Sequence, residues 1–223
     1  MQPAVAPAAR DQQTLTLLTG STVVRAMAFD RKRRHRRSIR LPTHDYTAPG
    51  GYFVTVCTYE RVCLFGDVIE DKMRLNDTGK IVRDEWMRSA AIRREIVLDE
   101  FVVMPNHVHG IVMIRESVGA TGRSPLHGAP RSPLVRSGPP PRSLGSFVGG
   151  FKSAVATHVS ALRGTRGVTI WQRNYYEHVI RDDSERERIR EYIRQNPLRW
   201  AIDRENPKAT VHDLLEPWEP QAR

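Results

Sequence analysis

Two short stretches of this sequence hold side chains whose types and spacing suit chemistry. The first is Pro105-Asn106-His107-Val108-His109. On an extended strand, residues two apart point to the same face. His107 and His109 would then present their imidazoles side by side, about 6–7 Å apart along the backbone and within reach of one metal ion. Two part-exposed histidines on a sheet face would give the same pattern. The second stretch is Tyr192-Ile193-Arg194-Gln195-Asn196. Residues i and i+4 share a helix face, so Tyr192 and Asn196 would point the same way, one turn apart. Tyr192 also falls on a stripe with Ile189 and Ile193, as a core tyrosine with its hydroxyl at the edge would. Asn196, standing before Pro197, fits a simple C-cap equally well.

Taken together, two imidazoles and an amide oxygen form a mixed N/O donor set that leaves coordination positions open. Such a set suits Mg²⁺ or Mn²⁺ better than structural Zn²⁺, which closes four ligands around itself. A metal held there would polarise a phosphate, and Tyr192 could attack it. A free phenol has a pKa of about 10, and no dedicated general base accompanies Tyr192, so activation is expected from the metal or a bound water. Tyr175 and Tyr176 are rival nucleophiles in a strand-like segment, where they alternate faces and one should enter the core. His178 could approach the site, although a structural role is expected for it. His35, His44, His127, His158 and His212 lack partners at ligand spacing.

The elements that must position these groups can be read from periodicity and punctuation. Tyr52–Thr58 is rich in β-branched and aromatic residues and predicts a strand. Val62–Ile69 and Met73–Leu75 suggest a hairpin around Glu70-Asp71. Asn76 and Asp77 offer N-caps to a helix over 79–91, with Ile81, Val82, Trp86 and Met87 at helical spacing. Glu95–Met104 and His107–Ile114 predict two strands joined by a tight turn at Pro105-Asn106. A helix follows over 144–162, with Phe147, Val148, Phe151, Val155 and Val159 on one stripe and Gly164 as its stop. The run YYEHVI predicts the last strand. Asp182-Asp183-Ser184 would cap the last helix, which Asn196-Pro197 ends. The order predicts an α+β fold, a β-α-β-β-α-β core with an antiparallel sheet and packed helices.

The chain has 223 residues, enough for one substantial core plus tails, and 39% of them are hydrophobic. Its formal net charge of +10 favours polyanionic partners such as nucleic acid. Two cysteines without CxxC spacing exclude a disulfide framework and fit a reduced, cytoplasmic chain. No apolar run approaches the roughly 20 residues of a membrane span, and neither a membrane nor a small-molecule substrate is expected. Residues 1–32 are expected to be a disordered or non-native leader that runs into a basic arm, with Met27 as an alternative start. The arm holds seven permanent positive charges between Arg31 and Arg40. It would either be a solvated tail or lie along DNA phosphates through Arg33, Arg34, Arg36, Arg37 and Arg40. Lys152 and Arg181 are further candidates for DNA contact. Residues 117–145, rich in Pro, Gly and Arg, read as a flexible insertion, and 206–223 as a C-terminal tail.

The motifs occur in an order that resembles a known family. HVH after a strand ending in VVMPN resembles the His-hydrophobic-His motif of the HUH endonucleases. Tyr192 with Asn196 on the final helix is similar to the single-tyrosine (IS200-like) transposases. RRSIRLP…GYFVTVCTYER, WQRNYYEHVIRD and EYIRQNPLRW resemble the REP-associated tyrosine transposases in particular, over about residues 33–200. The resemblance implies an RRM/ferredoxin-like sheet, the HUH endonuclease fold, with the histidine pair on a central strand. It implies an enzyme that cuts single-stranded DNA beside palindromic hairpins, forms a 5′-phosphotyrosine link, and lets a 3′-OH reverse it without ATP. By matching motif positions, His107, His109 and Asn196 would be metal ligands and Tyr192 the nucleophile. A monomer or homodimer working at the bacterial nucleoid is expected. A non-catalytic hairpin-binding protein on the same fold is the alternative, and would be indifferent to chelation. A replication initiator or relaxase fits less well, because the short chain carries no helicase or second tyrosine motif.

Overall fold

The computed structural model describes residues 44–116, 139–165 and 167–210. The basic arm and its Arg33, Arg34, Arg36, Arg37 and Arg40, the leader, most of the 117–145 insertion and residues 211–223 lie outside the described residues. The elements run β1 (Gly50–Cys57), β2 (Gly66–Ile69), β3 (Lys72–Leu75), α1 (Asp77–Ala91), β4 (Ile96–Val103), β5 (His107–Ile114), α2 (Leu144–Arg163), β6 (Tyr176–Ile180) and α3 (Asp183–Gln195). Short 3-10 turns lie at Tyr59–Arg61 and Trp200–Ile202. The order matches the β-α-β-β-α-β expectation, with the β2–β3 hairpin inserted and α3 appended. Four strands form one antiparallel sheet in the order β4-β5-β1-β6, so the histidine strand β5 is central. Among the described residues, no helix is long and apolar enough to cross a membrane.

Period-two alternation sorts the central strands onto two faces. Tyr52, Val54 and Val56 of β1 join Val108, Val112 and Ile114 of β5 in a core with Trp86 of α1 and Phe147, Phe151 and Val155 of α2. The opposite face carries Phe53 and Ile111, covered by Ile189 and Ile193 of α3. His107 and His109 belong by the same alternation to the α3 face. Gly110 lies between His109 and Ile111 but on the other face, where a Cβ would stand 2.5 Å from a ring carbon of Trp86. Only a bare backbone lets that indole come so close to the strand.

The ends of the elements follow local rules. Asn76, Ser143 and Asp182 cap the three helices, each accepting a backbone N–H three residues on. Gly164 closes α2 in the left-handed region at φ 61. Glu70 and Asp71 take φ of 50 and 58, the pair of left-handed residues that a tight type I′ hairpin needs. In β4 the register shifts between Leu98 and Phe101, so Asp99 and Glu100 form a bulge. Leu98 and Phe101 both remain on the α1 side. The two bulge carboxylates reach α3 instead: Arg190 grips Asp99 in a two-pronged pair at 2.9 and 2.7 Å, and Arg194 meets Glu100 at 3.0 Å.

Candidate active site

β5 delivers both histidines to one place. Their ring centroids are 4.4 Å apart, with His107 fully buried and His109 3% exposed. His109 stacks on Phe53, centroids 5.3 Å apart. α3 lies over this face with Tyr192 against His109, its hydroxyl 3.5 Å from His109 Nε2. One turn on, Asn196 is 1% exposed. Pro197 has no N–H to continue the helix, and the chain turns back through the Trp200–Ile202 turn. That return places Trp200 6.1 Å from His107, ring to ring, and inserts Asp203. The Asp203 carboxylate is buried; its Oδ2 lies 4.0 Å from His107 Nε2 and accepts from Asn196 Nδ2 at 3.2 Å. Its Oδ1 accepts from the Glu205 backbone N–H.

His107, His109 and Asp203 are buried and offer ligand atoms that lie within 4.8 Å of one another. Two donors bound at about 2.2 Å to one ion stand at most about 4.4 Å apart, so a shift of a few tenths of an ångström would suffice. Two further observations fit a cation. His107 Nε2 and Asn196 Oδ1 are buried atoms without a hydrogen-bond partner, a costly condition unless something binds them. Burial holds the His107 imidazole below its ordinary pKa, against the opposing pull of Asp203, Glu205 and the nearby Asn196 amide. Burial likewise depresses His109, to well below the ordinary value, helped by His107 and Arg204. Neutral rings keep their lone pairs for coordination.

The geometry brings together His107, His109, Asn196 and Tyr192, which sequence spacing singled out, and adds Asp203, which it did not. Asp203 stands just before residues 206–223, the expected C-terminal tail, and no motif in the sequence singles it out. The other candidates fall elsewhere. Tyr175 packs against the α1/α2 core, whereas Tyr176 pairs with Thr55 and joins the α3-side cluster. His178 Nε2 lies 3.0 Å from Glu185 Oε1. Lys152 turns inward, donating to the carbonyls of Gln172 and Asn174, each at 2.9 Å. Burial pulls its pKa down to about 8. Arg181 is exposed at the end of β6. Cys57 stands opposite His107 and meets Glu205 at 3.4 Å; burial pushes its thiol pKa up.

A protein of Haemophilus influenzae, described as uncharacterised, is 41% identical over 169 residues, which is 76% of this chain and 92% of the relative. The chain belongs to that protein's family. No family model matches the sequence. Among solved structures, a REP-associated tyrosine transposase bound to a REP hairpin aligns with TM-score 0.47 at 18% identity, over 72% of this chain and 74% of that one. A candidate transposase of Deinococcus radiodurans R1 aligns with TM-score 0.32 at 19% identity, over 70% of this chain and 96% of that one.

Proposed function

We propose that this family is that of the REP-associated tyrosine transposases, and that the chain nicks and rejoins single-stranded DNA beside short palindromic hairpins. The observation that supports this reading is the meeting of a tyrosine hydroxyl with a buried set of neutral imidazoles, an amide oxygen and a carboxylate. A divalent cation, Mg²⁺ or Mn²⁺, held by His107, His109 and Asn196 with Asp203 beside them, would polarise the scissile phosphate and offset the charge that builds on it.

The remaining work falls to the chain itself. The Arg190–Asp99 and Arg194–Glu100 pairs fasten α3 to β4 and so fix where the phenol stands, which is the orienting part of catalysis. Tyr192 loses its hydroxyl proton to solvent, and its oxygen attacks the phosphorus. A Tyr–O–P bond to the 5′ side forms as the P–O3′ bond breaks, and the departing oxygen takes a proton to become a 3′-OH. The reverse attack by a 3′-OH restores a phosphodiester and frees the phenol. One phosphoester is exchanged for another, so no ATP is required. Arg33, Arg34, Arg36, Arg37 and Arg40 would supply phosphate contacts that hold the strand, with Arg181 at the end of β6 as a further contact. The protein would act as a monomer or homodimer at the nucleoid.

The test is a hairpin oligonucleotide labelled on its 3′ side, incubated with the protein and Mn²⁺. A nick and a denaturant-stable adduct are expected, both abolished by EDTA and by His107→Ala. Salt-dependent binding without any adduct in Mg²⁺ or Mn²⁺ would leave a hairpin-binding protein instead.

A further inference from the structure

The ring nitrogens that face away from the site are engaged too. His107 Nδ1 lies 2.9 Å from Asn106 Oδ1, and His109 Nδ1 lies 2.8 Å from Thr55 Oγ1. The two partners differ in kind. A threonine hydroxyl both donates and accepts, so Thr55 tolerates either tautomer of His109. A carboxamide has one end that only accepts and one that only donates. The Asn106 nitrogen donates to two backbone carbonyls, that of Arg61 at 2.9 Å and that of Glu205 at 2.6 Å. Turning the amide over would set its oxygen against both carbonyls. Its orientation is therefore imposed from outside the histidine, and its oxygen demands a proton at His107 Nδ1. A neutral imidazole carries a single N–H, so Nε2 is left as a bare lone pair. This is the nitrogen that lies 4.0 Å from Asp203 Oδ2, beside the Asn196 side chain, and that makes no hydrogen bond of ordinary geometry.

We propose that Asn106 is a positioning residue of the metal site: it holds His107 as the Nδ1–H tautomer, and it is itself held by the returning segment through the Glu205 carbonyl. The inference rests on reading the site as a cation centre. It makes one docking event serve two ends. The segment that carries Asp203 to the site also locks the amide that turns the His107 lone pair toward it. The backbone of the same turn is anchored as well, since the Asn106 carbonyl accepts from Thr58 N–H at 2.8 Å and the Pro105 carbonyl from Leu64 and Phe65. Partners of this kind, one shell out from the ligands, fix ring orientation and commonly change metal affinity by about 10–100-fold when removed.

The test uses the full chain, metal-free, at neutral pH, with histidine-ring ¹⁵N spectra assigned by the loss of signals in His107→Gln. Wild type should show a protonated Nδ1 and a bare Nε2 at His107. Asn106→Ala should release the tautomer, giving Nε2–H, the ordinary form of free neutral histidine. It should also weaken Mn²⁺ binding by about 10–100-fold in calorimetry. An Nε2–H tautomer in wild type overturns the proposal without any variant, so a poorly folding Asn106→Ala does not shield it. An Asn106→Ala chain that keeps both the tautomer and the Mn²⁺ affinity overturns it equally. Mn²⁺ affinity unchanged by His107→Ala would overturn the cation reading instead, and the wild-type ring spectrum would still report on the amide lock separately.

Discussion

Burying His109 in neutral form makes the stability of the metal-free chain depend on pH in a calculable way. Its folded pKa is held well below the ordinary value, first by burial and then by His107 and Arg204. In the unfolded chain the ring titrates near about 6.5. Below that pH the unfolded state takes up a proton that the native ring does not, so stability is full above about pH 6.5 and is lost as pH falls. For one such ring the loss is at most RT ln(1 + 10^(6.5−pH)), on the order of 1 kcal/mol at pH 5.5 and negligible at pH 7.5. With a urea slope of about 2 kcal/mol per M, the midpoint should fall by roughly half a molar from this ring. The assay is urea unfolding in EDTA at pH 7.5 and 5.5 for wild type and His109→Gln. The variant loses the stack on Phe53 at both pH values, so the change in the wild-type-minus-variant difference isolates the proton. A difference that is the same at both pH values would refute the claim that the ring is buried and neutral.

Arg190→Ala should cost about 1 kcal/mol, the scale of a partly exposed ion pair, and should slow adduct formation while Mn²⁺ affinity stays within about threefold; an unchanged rate would mean α3 is placed without the bulge. Gly110→Ala should cost about 1–3 kcal/mol through overpacking against Trp86, read as a lowered melting temperature. An unchanged melting temperature would show that the indole yields freely. Deleting residues 31–40 should reduce the salt dependence of hairpin binding, by about 0.7 in the log–log slope for each single-strand phosphate that the arm no longer neutralises. A slope that does not change would remove the basic arm from the DNA.

How far the sequence could be read depended on whether an element's neighbours lay within itself. His107/His109 and Tyr192/Asn196 each lie within one element, so periods of two and of 3.6 residues placed each pair on one face. The α1 cap at Asn76 and the Glu70-Asp71 turn were legible for the same reason. Strand β1 begins at Gly50 rather than Tyr52, because pairing of Gly50 and Gly51 with Ile114 and Met113 extends a ladder that glycine's own preference would not. The Asp99-Glu100 bulge interrupts a run that reads as one continuous strand; its cause is the pair of arginines some 90 residues away on α3. Asp203 was invisible for a similar reason. It reaches the site through a turn after Pro197 and the grip of Asn106 on the Glu205 carbonyl, a hydrogen bond spanning 99 positions in sequence.

If the phenol beside His109 is the group that takes up DNA, peptide mapping of the trapped adduct will find the nucleotide there. Trypsin releases Tyr192 in the fragment Glu191–Arg194 and both rivals, Tyr175 and Tyr176, in Asn174–Arg181. The nucleotide mass is expected on Glu191–Arg194, formed only when Mn²⁺ or Mg²⁺ is present. The same mass on Asn174–Arg181, or on Glu191–Arg194 in excess EDTA, would contradict it.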